Sequence, residues 1–316
     1  MTTKKPRSKK LVPIFSSTAP VVARVCSYGG GLDSWAMLLD AERRGDLPDV
    51  AVFIDVGDGA SDRDGQDPGE WPGTYKHVRE VAMPWCAARG VEFVWLSSDD
   101  YPVRDARSLF AWLAARKQIP VSGNKRICTT IAKVERFEAW LADRYGAQPV
   151  EVWIGFEKGE EKRADKDPNA GTKKKGRPSQ RRNRFPLIES GLCRCRCLEL
   201  ARASGYPVPR KSACTFCPYG SRKDWKVFAN ELPEVFAQVV ELEESKPPTR
   251  KNNIKLSIMG FSSRKRKDGT QVRKATPLPM YVAAPGKPAK AKPCAVCGAA
   301  ERATKATGCD YLEGGE

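Results

Sequence analysis

Short apolar runs alternate with longer amphipathic stretches through the first half of the chain. Runs that are apolar throughout, without polar alternation, are typical of strands buried on both faces of a parallel sheet. They lie at residues 21–26, 49–56, 91–96 and 149–156. Helical periodicity fills the gaps, at residues 35–41, 74–89, 105–117 and 129–145. Strands alternating with helices predict an α/β fold with right-handed crossovers between parallel strands, and ligands then bind at the carboxyl ends of the strands.

A glycine-rich turn joins the first predicted strand to the first predicted helix. It contains Gly29, Gly30 and Gly31, and the chain re-enters the helix through Asp33 and Ser34. Glycines allow positive φ and a close approach of backbone N–H groups to an anion, and the helix N-terminus adds partial positive charge. The turn therefore predicts a phosphate site, although it matches neither of the two common phosphate fingerprints. The alternative is a strand-to-helix turn without a ligand.

The chain is strongly basic. Its 316 residues carry 55 Lys and Arg against 38 Asp and Glu, which gives a net charge of +17. Much of this charge lies at residues 4–10, 158–184, 246–274 and 287–305. Such segments are typical of contacts with a nucleic-acid backbone; solubility or basic disordered tails are the alternative. Because no apolar run reaches ~18 residues and none follows the basic N-terminus, we expect a cytoplasmic protein without a membrane partner.

The eleven cysteines fall into groups whose spacing suits metals. Cys214 and Cys217 form a C-x-x-C pair, which suits zinc, an iron–sulfur cluster or redox exchange, although the thioredoxin-like context of a redox pair is absent. Cys294 and Cys297 form another such pair. Together with Cys309 they resemble part of a zinc ribbon whose fourth ligand is missing, and a water or a neighbouring carboxylate could complete a structural zinc site. The alternative is a loose tail.

Several motifs, in order along the chain, resemble one enzyme superfamily. The glycine-rich turn is similar to the SGGxDS loop of the PP-loop ATP pyrophosphatases (adenine nucleotide alpha hydrolase-like), with Ser27 at its start and Tyr28 as an insertion. Four further segments resemble elements of the branch that is PAPS reductase-like or DNA phosphorothioation sulfurtransferase-like. They are residues 126–133 (R-x-C-T-x-x-x-K), 155–163 (G-x-x-x-(D/E)-E-x-x-R), 185–188 with Cys197 (PLI and C) and 211–219 (KSxCxxCP). The resemblance spans residues 21–245.

The resemblance implies a doubly wound parallel sheet that binds ATP with Mg²⁺. The nucleotide-binding residues would be Ser27, Gly29, Gly30, Gly31, Asp33, Ser34, Asp55, Glu160 and Arg163. Within that set, Asp55 would lie near the adenosine, and Glu160 and Arg163 would contact substrate or phosphate. Asp33, Ser34 and Lys133 would be catalytic, Lys133 by offsetting negative charge. A solvated loop position for Asp55 and a solvated charge run at 157–163 are the alternatives.

A four-iron, four-sulfur (4Fe-4S) cluster beside the nucleotide is a further implication of the resemblance. Its ligands would be Cys128, Cys197, Cys214 and Cys217, with Cys193 or Cys195 able to replace Cys197. Coordination by four thiolates does not by itself identify the metal, so zinc is the alternative, and free cysteines are another.

Composition and resemblance together divide the chain into six parts. Residues 1–20 are predicted to be a flexible basic arm, and residues 21–165 the PP-loop nucleotide-binding α/β domain. Residues 166–183 are rich in Gly, Lys and Arg, which predicts a basic disordered loop that could order over a nucleic acid. The rest comprises a cysteine-rich helical region (184–245), a basic linker (246–292) and a small cysteine-containing tail (293–316), so the C-terminal part is expected to be flexible and basic.

The predicted activity is ATP-dependent sulfur transfer to a nucleic acid, either DNA or tRNA. A substrate oxygen would attack the α-phosphate of ATP, and sulfur from a donor such as a cysteine desulfurase would then replace it with help of the cluster. One alternative is a reductase of adenylyl or phosphoadenylyl sulfate. Reductases of the family use a C-terminal cysteine in an E-C-G-L-H-type ending, which Cys309 lacks. The other alternative is a non-catalytic nucleic-acid-binding protein on the same fold.

Overall fold

Five parallel strands form the central sheet, in the order β3-β2-β1-β4-β5. They belong to a computed structural model, which describes residues 20–57, 67–121, 127–167, 181–248, 257–259, 261–265, 271–284 and 294–299. The strands are β1 (Ala23–Tyr28), β2 (Val50–Ile54), β3 (Glu92–Leu96), β4 (Val150–Trp153) and β5 (Arg181–Arg184). The predicted α/β fold with a parallel sheet is confirmed, and all four predicted strands belong to the sheet.

Helices follow the strands as the apolar periodicity predicts. The first six are α1 (Leu32–Arg43), α2 (Pro72–His77), α3 (Met83–Ala87), α4 (Leu109–Ala115), α5 (Ile127–Thr129) and α6 (Glu135–Tyr145). The next six are α7 (Glu161–Ala164), α8 (Pro186–Glu189), α9 (Arg194–Ala203), α10 (Arg222–Glu231), α11 (Pro233–Ser245) and α12 (Leu278–Ala283). π-Helical turns at Val78–Ala82 and Thr130–Val134 join α2 to α3 and α5 to α6.

The helix predicted over 105–117 begins later, at Leu109, because Ser108 caps it. The Oγ atom of Ser108 accepts a hydrogen bond from the backbone N–H of Ala111, at 3.0 Å. A serine in extended backbone conformation that accepts this bond satisfies one of the donors left unpaired at a helix start.

Apolar layers cover both faces of the sheet, because alternate residues of a strand point to opposite faces. Cys26 and Tyr28 of β1 pack in one layer with Trp35 of α1. Val25 packs in the other layer with Trp140 of α6. Coverage on both faces explains why four of the six residues of β1 are apolar.

β2 and β3 lie on one side of β1 in the sheet, and after β3 the chain crosses to the other side, where β4 and β5 lie. Val25 of β1 lies opposite Val50 of β2 on one side and opposite Val152 of β4 on the other. Where two neighbouring strands of a parallel sheet send their connections in opposite directions, a crevice opens outside their carboxyl ends. The strand order therefore reverses between β1 and β4.

A polar strand lies at one edge of the sheet and overlaps the last residues of the loop predicted over 166–183. Arg181–Arg184 pairs with β4 as β5. Its arginines have partners: Arg181 bonds Glu138 at 2.7 Å, and Arg184 bonds Glu189 at 2.8 Å. Ion pairs thus satisfy a segment that has no apolar face. Residues 168–180 of the predicted loop lie outside the described residues.

The region predicted as a linker over 246–292 contains ordered elements within its described part. Strands β6 (Phe261–Lys265) and β7 (Gln271–Ala275) form an antiparallel hairpin, and α12 packs near α10 and α11. The buried carboxylate of Glu243 accepts hydrogen bonds from the backbone N–H groups of Ile258 (2.9 Å) and Leu278 (2.6 Å) and from the hydroxyl of Ser257 (2.7 Å). The Glu243 side chain thus joins residues 257–258 and the start of α12 to α11, an arrangement that the apolar pattern alone does not predict.

Within the described ranges, none of the helices is both long enough and apolar enough to cross a membrane. The predicted basic arm lies outside those ranges except for residue 20.

Candidate functional site

The glycine-rich turn between β1 and α1 requires glycine at Gly30 and leaves little room for a side chain at Gly31. Gly30 has φ +69°, and a Cβ atom there would lie 2.6 Å from Cγ2 of Thr74. A Cβ atom on Gly31 would lie 3.1 Å from Cβ of Ser212. The turn is thus enclosed by α2 on one side and by the segment before Cys214 on the other. We call residues 27–34 the phosphate loop from here on.

The N-terminus of α1 continues directly from the phosphate loop. Gly31 is its N-cap, and the Oγ atom of Ser34 donates a hydrogen bond to the carbonyl of Gly31 at 2.9 Å. The first backbone N–H groups of a helix have no partner within the helix, and they carry the positive end of its dipole. This end of α1 is therefore suited to hold an anion.

A cavity of about 210 Å³ lies at this point, outside the carboxyl ends of β1 and β4. Its volume is several times the ~30 Å³ that one water occupies in the liquid. Its lining consists of Ser27, Gly29, Gly31, Leu32, Asp33, Ser34, Gly155, Arg194, Lys211 and Ser212. Five of the predicted phosphate-binding residues thus share one cavity, which we call the phosphate-loop cavity. Gly30 shapes the turn behind it.

Arg194 and Lys211 bring positive charge to the phosphate-loop cavity. The guanidinium of Arg194 forms a two-pronged ion pair with the carboxylate of Asp33, with both N–O distances 2.8 Å. The ammonium of Lys211 donates a hydrogen bond to the carbonyl of Tyr219 at 2.7 Å. Neither cation is among the site residues predicted from the sequence. The position of Lys211 in the KSxCxxCP-like element could have indicated a site residue. For Arg194 the sequence offers only its position between two cysteines.

Asp55 lies outside the lining of the cavity, buried at the end of β2. Its Oδ1 atom accepts hydrogen bonds from the hydroxyl of Tyr75 (2.6 Å) and the backbone N–H of Gly57 (2.8 Å). Burial, and then the Asp55 charge, raise the pKa of Tyr75 well above its ordinary value. The interpretation of Asp55 as a solvated loop residue is wrong, since only 2% of it is exposed. Its predicted contact with an adenosine stays a prediction.

Glu160 and Arg163 also lie outside the cavity lining. They form an ion pair with each other at the start of α7, and the guanidinium of Arg163 lies 4.2 Å above the ring of Phe156. The predicted role of this pair in binding substrate or phosphate stays a prediction.

Lys133 pairs with a carboxylate instead of lining the phosphate-loop cavity. Its Nζ atom lies 2.7 Å from Oε1 of Glu70, whose side chain is fully buried. Burial is the largest single influence and disfavours the ammonium charge, but the charge and hydrogen bond of Glu70, together with Cys214 and Cys217, raise the pKa of Lys133 overall. The Oε2 atom of Glu70 has no hydrogen-bond partner in the described part of the chain. In this structure Lys133 neutralises the negative charge of the buried Glu70 carboxylate.

The four cysteines predicted as cluster ligands do not form one group. Cys128, Cys214 and Cys217 lie near one another beside Glu70, and burial, followed by Glu70, raises the pKa of Cys214 well above its ordinary value. Cys197 packs away from them, in the apolar layer that contains Cys26 of β1 and Trp35 of α1. Burial, followed by the Asp33 charge, raises the pKa of Cys197. The predicted site is therefore divided between two places in the fold.

A different set of four cysteines comes together. The sulfur atoms of Cys193, Cys195, Cys294 and Cys297 all lie within 4.8 Å of one another, and this group could hold a metal ion. We call it the four-cysteine group. The sequence analysis treated its halves separately, with Cys309 as the third ligand of the tail; Cys309 lies outside the described residues.

Backbone hydrogen bonds form a tight turn around Cys294 and Cys297, the C-terminal half of the four-cysteine group. The carbonyl of Cys294 accepts a hydrogen bond from the N–H of Gly298 at 3.0 Å, and the N–H of Cys294 donates one to Ala299 at 2.9 Å. Gly298 has φ +73°, which closes the turn. The backbone N–H groups of Cys297 and Val296 lower the pKa of Cys294 to about 6. The lowered pKa favours the thiolate of Cys294, which is the form that binds metals.

No family model matches the chain, and no curated protein matches it. The interpretation of the site therefore depends on its residues and their geometry.

Proposed function

We propose that this chain binds ATP with Mg²⁺ in the phosphate-loop cavity and uses it to adenylate a nucleic acid before sulfur transfer. The observation that carries the proposal is the cavity itself. A glycine-rich loop, the N-terminus of a twelve-residue helix and the cations Arg194 and Lys211 line the same space. Backbone N–H groups, helix N-termini and Arg or Lys side chains are the groups by which proteins bind phosphates.

The position of the cavity supports a nucleotide rather than an isolated anion. In doubly wound sheets, nucleotides bind at the crevice where the strand order reverses, outside the carboxyl ends of the strands. The strand order 3-2-1-4-5 reverses at β1 and β4, and the lining residues Gly29 and Gly155 follow those two strands. We therefore interpret the sheet as doubly wound, with the nucleotide in that crevice.

The donor set fits a magnesium ion. Asp33 is the carboxylate among the residues that line the cavity, and Ser34 adds a hydroxyl beside it. Mg²⁺ takes oxygen ligands, usually one or two carboxylates together with substrate phosphates. Asp33 and Ser34 would hold the ion, which when bound offsets the charge that develops on the departing pyrophosphate. Arg194 would then exchange its contact with Asp33 for one with a phosphate.

The other cavity residues would act on the nucleotide by position and charge. Lys211 and Arg194 would attract the phosphates, and the phosphate loop would orient them so that a substrate oxygen attacks the α-phosphorus while pyrophosphate leaves. A sulfur nucleophile then attacks the substrate, and the activated oxygen departs with AMP. In this proposal Lys211 and Arg194 supply the positive charge that was predicted for Lys133. Lys133 itself neutralises the carboxylate of Glu70.

Iron–sulfur chemistry has no step in this proposal. The predicted ligands Cys128, Cys214 and Cys217 lie together, but Cys197 packs elsewhere, so these four residues do not fit one cluster. We therefore assign the sulfur to a donor protein, such as a cysteine desulfurase.

The charge of the chain supports a nucleic-acid substrate. A net charge of +17 on 316 residues is more than a small sulfonucleotide needs, and it suits counterion release from a polyanion such as DNA or tRNA.

Pyrophosphate release from ATP tests the proposal. Purified protein with ATP and Mg²⁺ should release pyrophosphate in the presence of DNA or tRNA and little in their absence. Absence of release with either nucleic acid would contradict the proposed reaction. Sulfite formation from adenylyl sulfate would instead support the reductase, and absence of ATP binding would support a non-catalytic protein.

A pair of lysine variants locates the nucleotide. Lys211→Met should weaken ATP binding about tenfold, because a charge-assisted contact to phosphate is lost. Lys226→Met removes the same charge from an exposed position on α10, outside the cavity lining, and should leave the affinity unchanged. Equal effects of the two variants would show that ATP does not bind in this cavity.

A further inference from the structure

We propose that the four-cysteine group binds one tetrahedral Zn²⁺, which fastens residues 294–299 to the start of α9 and thereby holds Arg194 at the phosphate-loop cavity. The zinc assignment stands on the cysteines alone. The second half, the effect on Arg194, rests on the proposed nucleotide site.

The spacing of the sulfur atoms favours a single ion over a cluster. Zinc–thiolate bonds of about 2.3 Å in a tetrahedron place the sulfurs about 3.8 Å apart. The four sulfurs of Cys193, Cys195, Cys294 and Cys297 lie within 4.8 Å of one another, so small side-chain movements bring them to that distance. In a four-iron cluster each thiolate binds a different iron at an outer corner of the cube, which separates the thiolates much more widely.

The ligand set is that of a structural zinc site. Four thiolates without a water or carboxylate form the closed coordination of structural zinc, whereas catalytic zinc keeps a position open. Soft thiolates exclude Mg²⁺ and Ca²⁺, which take oxygen ligands. Three of the four cysteines are buried, and only Cys297 is partly exposed.

Within the part of the chain that the structure describes, the cysteines supply most of the apolar packing of residues 294–299. The apolar cluster at this point consists of the four cysteines and Ala299. A contact on the other side is small: a Cβ atom on Gly159 would lie 3.6 Å from Cγ2 of Val296. So little apolar surface does not order a short segment, whereas metal binding supplies folding free energy directly. The ion would also close a loop of roughly 100 residues, between Cys195 and Cys294.

Arg194 lies between two of the proposed ligands. Cys193 is the N-cap of α9, and Cys195 is the second residue of the helix, so an ion bound to both restrains the backbone of Arg194. From this position its guanidinium reaches Asp33 in the phosphate loop, with N–O distances of 2.8 Å. Loss of the ion should therefore loosen the first turn of α9 and weaken the contribution of Arg194 to anion binding.

Metal analysis of matched cysteine variants tests the zinc site. The wild-type chain should contain about one zinc and neither iron nor labile sulfide. Cys294→Ser with Cys297→Ser should lose the zinc. Cys128→Ser with Cys217→Ser removes the same number of thiols from the other cysteine region and should keep it. Iron with labile sulfide in the wild type, or zinc that persists without Cys294 and Cys297, would overturn the assignment.

Calorimetric titration with ATP tests the effect on Arg194. We expect the Cys294→Ser, Cys297→Ser variant and Arg194→Gln each to weaken ATP binding about fivefold, and their combination to be no weaker than Arg194→Gln alone. Additive losses would show that the zinc does not act through Arg194. If wild-type protein binds no ATP, the proposed function and this second half fail together, while the metal analysis still decides the zinc site.

Discussion

Arg194 and Asp33 form a two-pronged ion pair between residues 161 positions apart in the chain, with N–O distances of 2.8 Å. Asp33 belongs to the first turn of α1, and Arg194 begins α9. The pair joins the phosphate loop to the four-cysteine group, because Arg194 lies between Cys193 and Cys195. Arg194 therefore carries charge at the candidate anion site and is adjacent in the chain to two candidate metal ligands.

Loss of the Asp33 charge should destabilise the fold. Asp33→Asn keeps the shape of the side chain but leaves the guanidinium of Arg194, which is largely buried, with the more distant carboxylate of Glu157, 4.0 Å away. Removing one partner of a buried pair costs 3–5 kcal/mol, and we expect about 1–3 kcal/mol here because a quarter of Asp33 is exposed. Urea unfolding measures the change. The double variant with Arg194→Met should lose less than the sum of the two single variants; strict additivity would contradict the coupling.

The Glu70–Lys133 pair predicts a compensating double variant. Lys133→Met leaves the fully buried Glu70 carboxylate without its cation, so we expect the free energy of unfolding to fall by about 2–4 kcal/mol. Adding Glu70→Gln removes the unpaired charge and should restore most of the loss. Urea unfolding of the two single variants and the double variant measures this, and a double variant no more stable than Lys133→Met would refute it.

Gly30 should tolerate alanine much less well than another glycine of the same backbone conformation. Gly30 and Gly45 have φ +69° and +65°, but only at Gly30 would a Cβ atom meet a neighbour, Cγ2 of Thr74 at 2.6 Å. Gly45→Ala should cost about 1 kcal/mol from the strained φ. Gly30→Ala should cost about 1–3 kcal/mol more, because it overpacks the turn. Equal losses in thermal or urea unfolding would show that Thr74 moves aside at little cost.

His77 should make the fold less stable as the pH falls. Burial lowers its pKa from 6.5 to about 4, and its Nε2 atom lies 3.1 Å from the hydroxyl of Tyr28. Between these pH values the unfolded chain binds a proton that the folded chain does not, so stability decreases from pH 7 to pH 5, by about 2 kcal/mol.

Urea unfolding at pH 5, 6 and 7 measures the effect of His77, with His77→Gln as the comparison. Because the chain contains a single histidine, the difference between the two profiles isolates this residue from the carboxylates. The variant should have a flatter profile, and parallel profiles would contradict the prediction.

Local patterns were sufficient for much of the sheet. The run that forms β2 is apolar throughout and most residues of β1 are apolar, because apolar layers cover both faces of these strands, and that property can be read from the sequence. β5 escaped prediction because its arginines are satisfied by ion pairs from other elements, such as Glu138 and Glu189. The positions of Ser257, Ile258 and Leu278 were not predicted either. They are fixed by hydrogen bonds to the buried carboxylate of Glu243, and such bonds produce no apolar pattern in the sequence.

The sequence by itself determined the parallel α/β sheet and the glycine-rich turn between its first strand and helix. Both follow from short-range properties, the apolar period of strands and helices and the backbone freedom of glycine. Only the tertiary structure decided that Arg194 and Lys211 reach the cavity, that Lys133 pairs with Glu70, and which four cysteines meet. These relationships join residues far apart in the chain, so they depend on how separate elements pack against one another, and sequence spacing does not encode that packing.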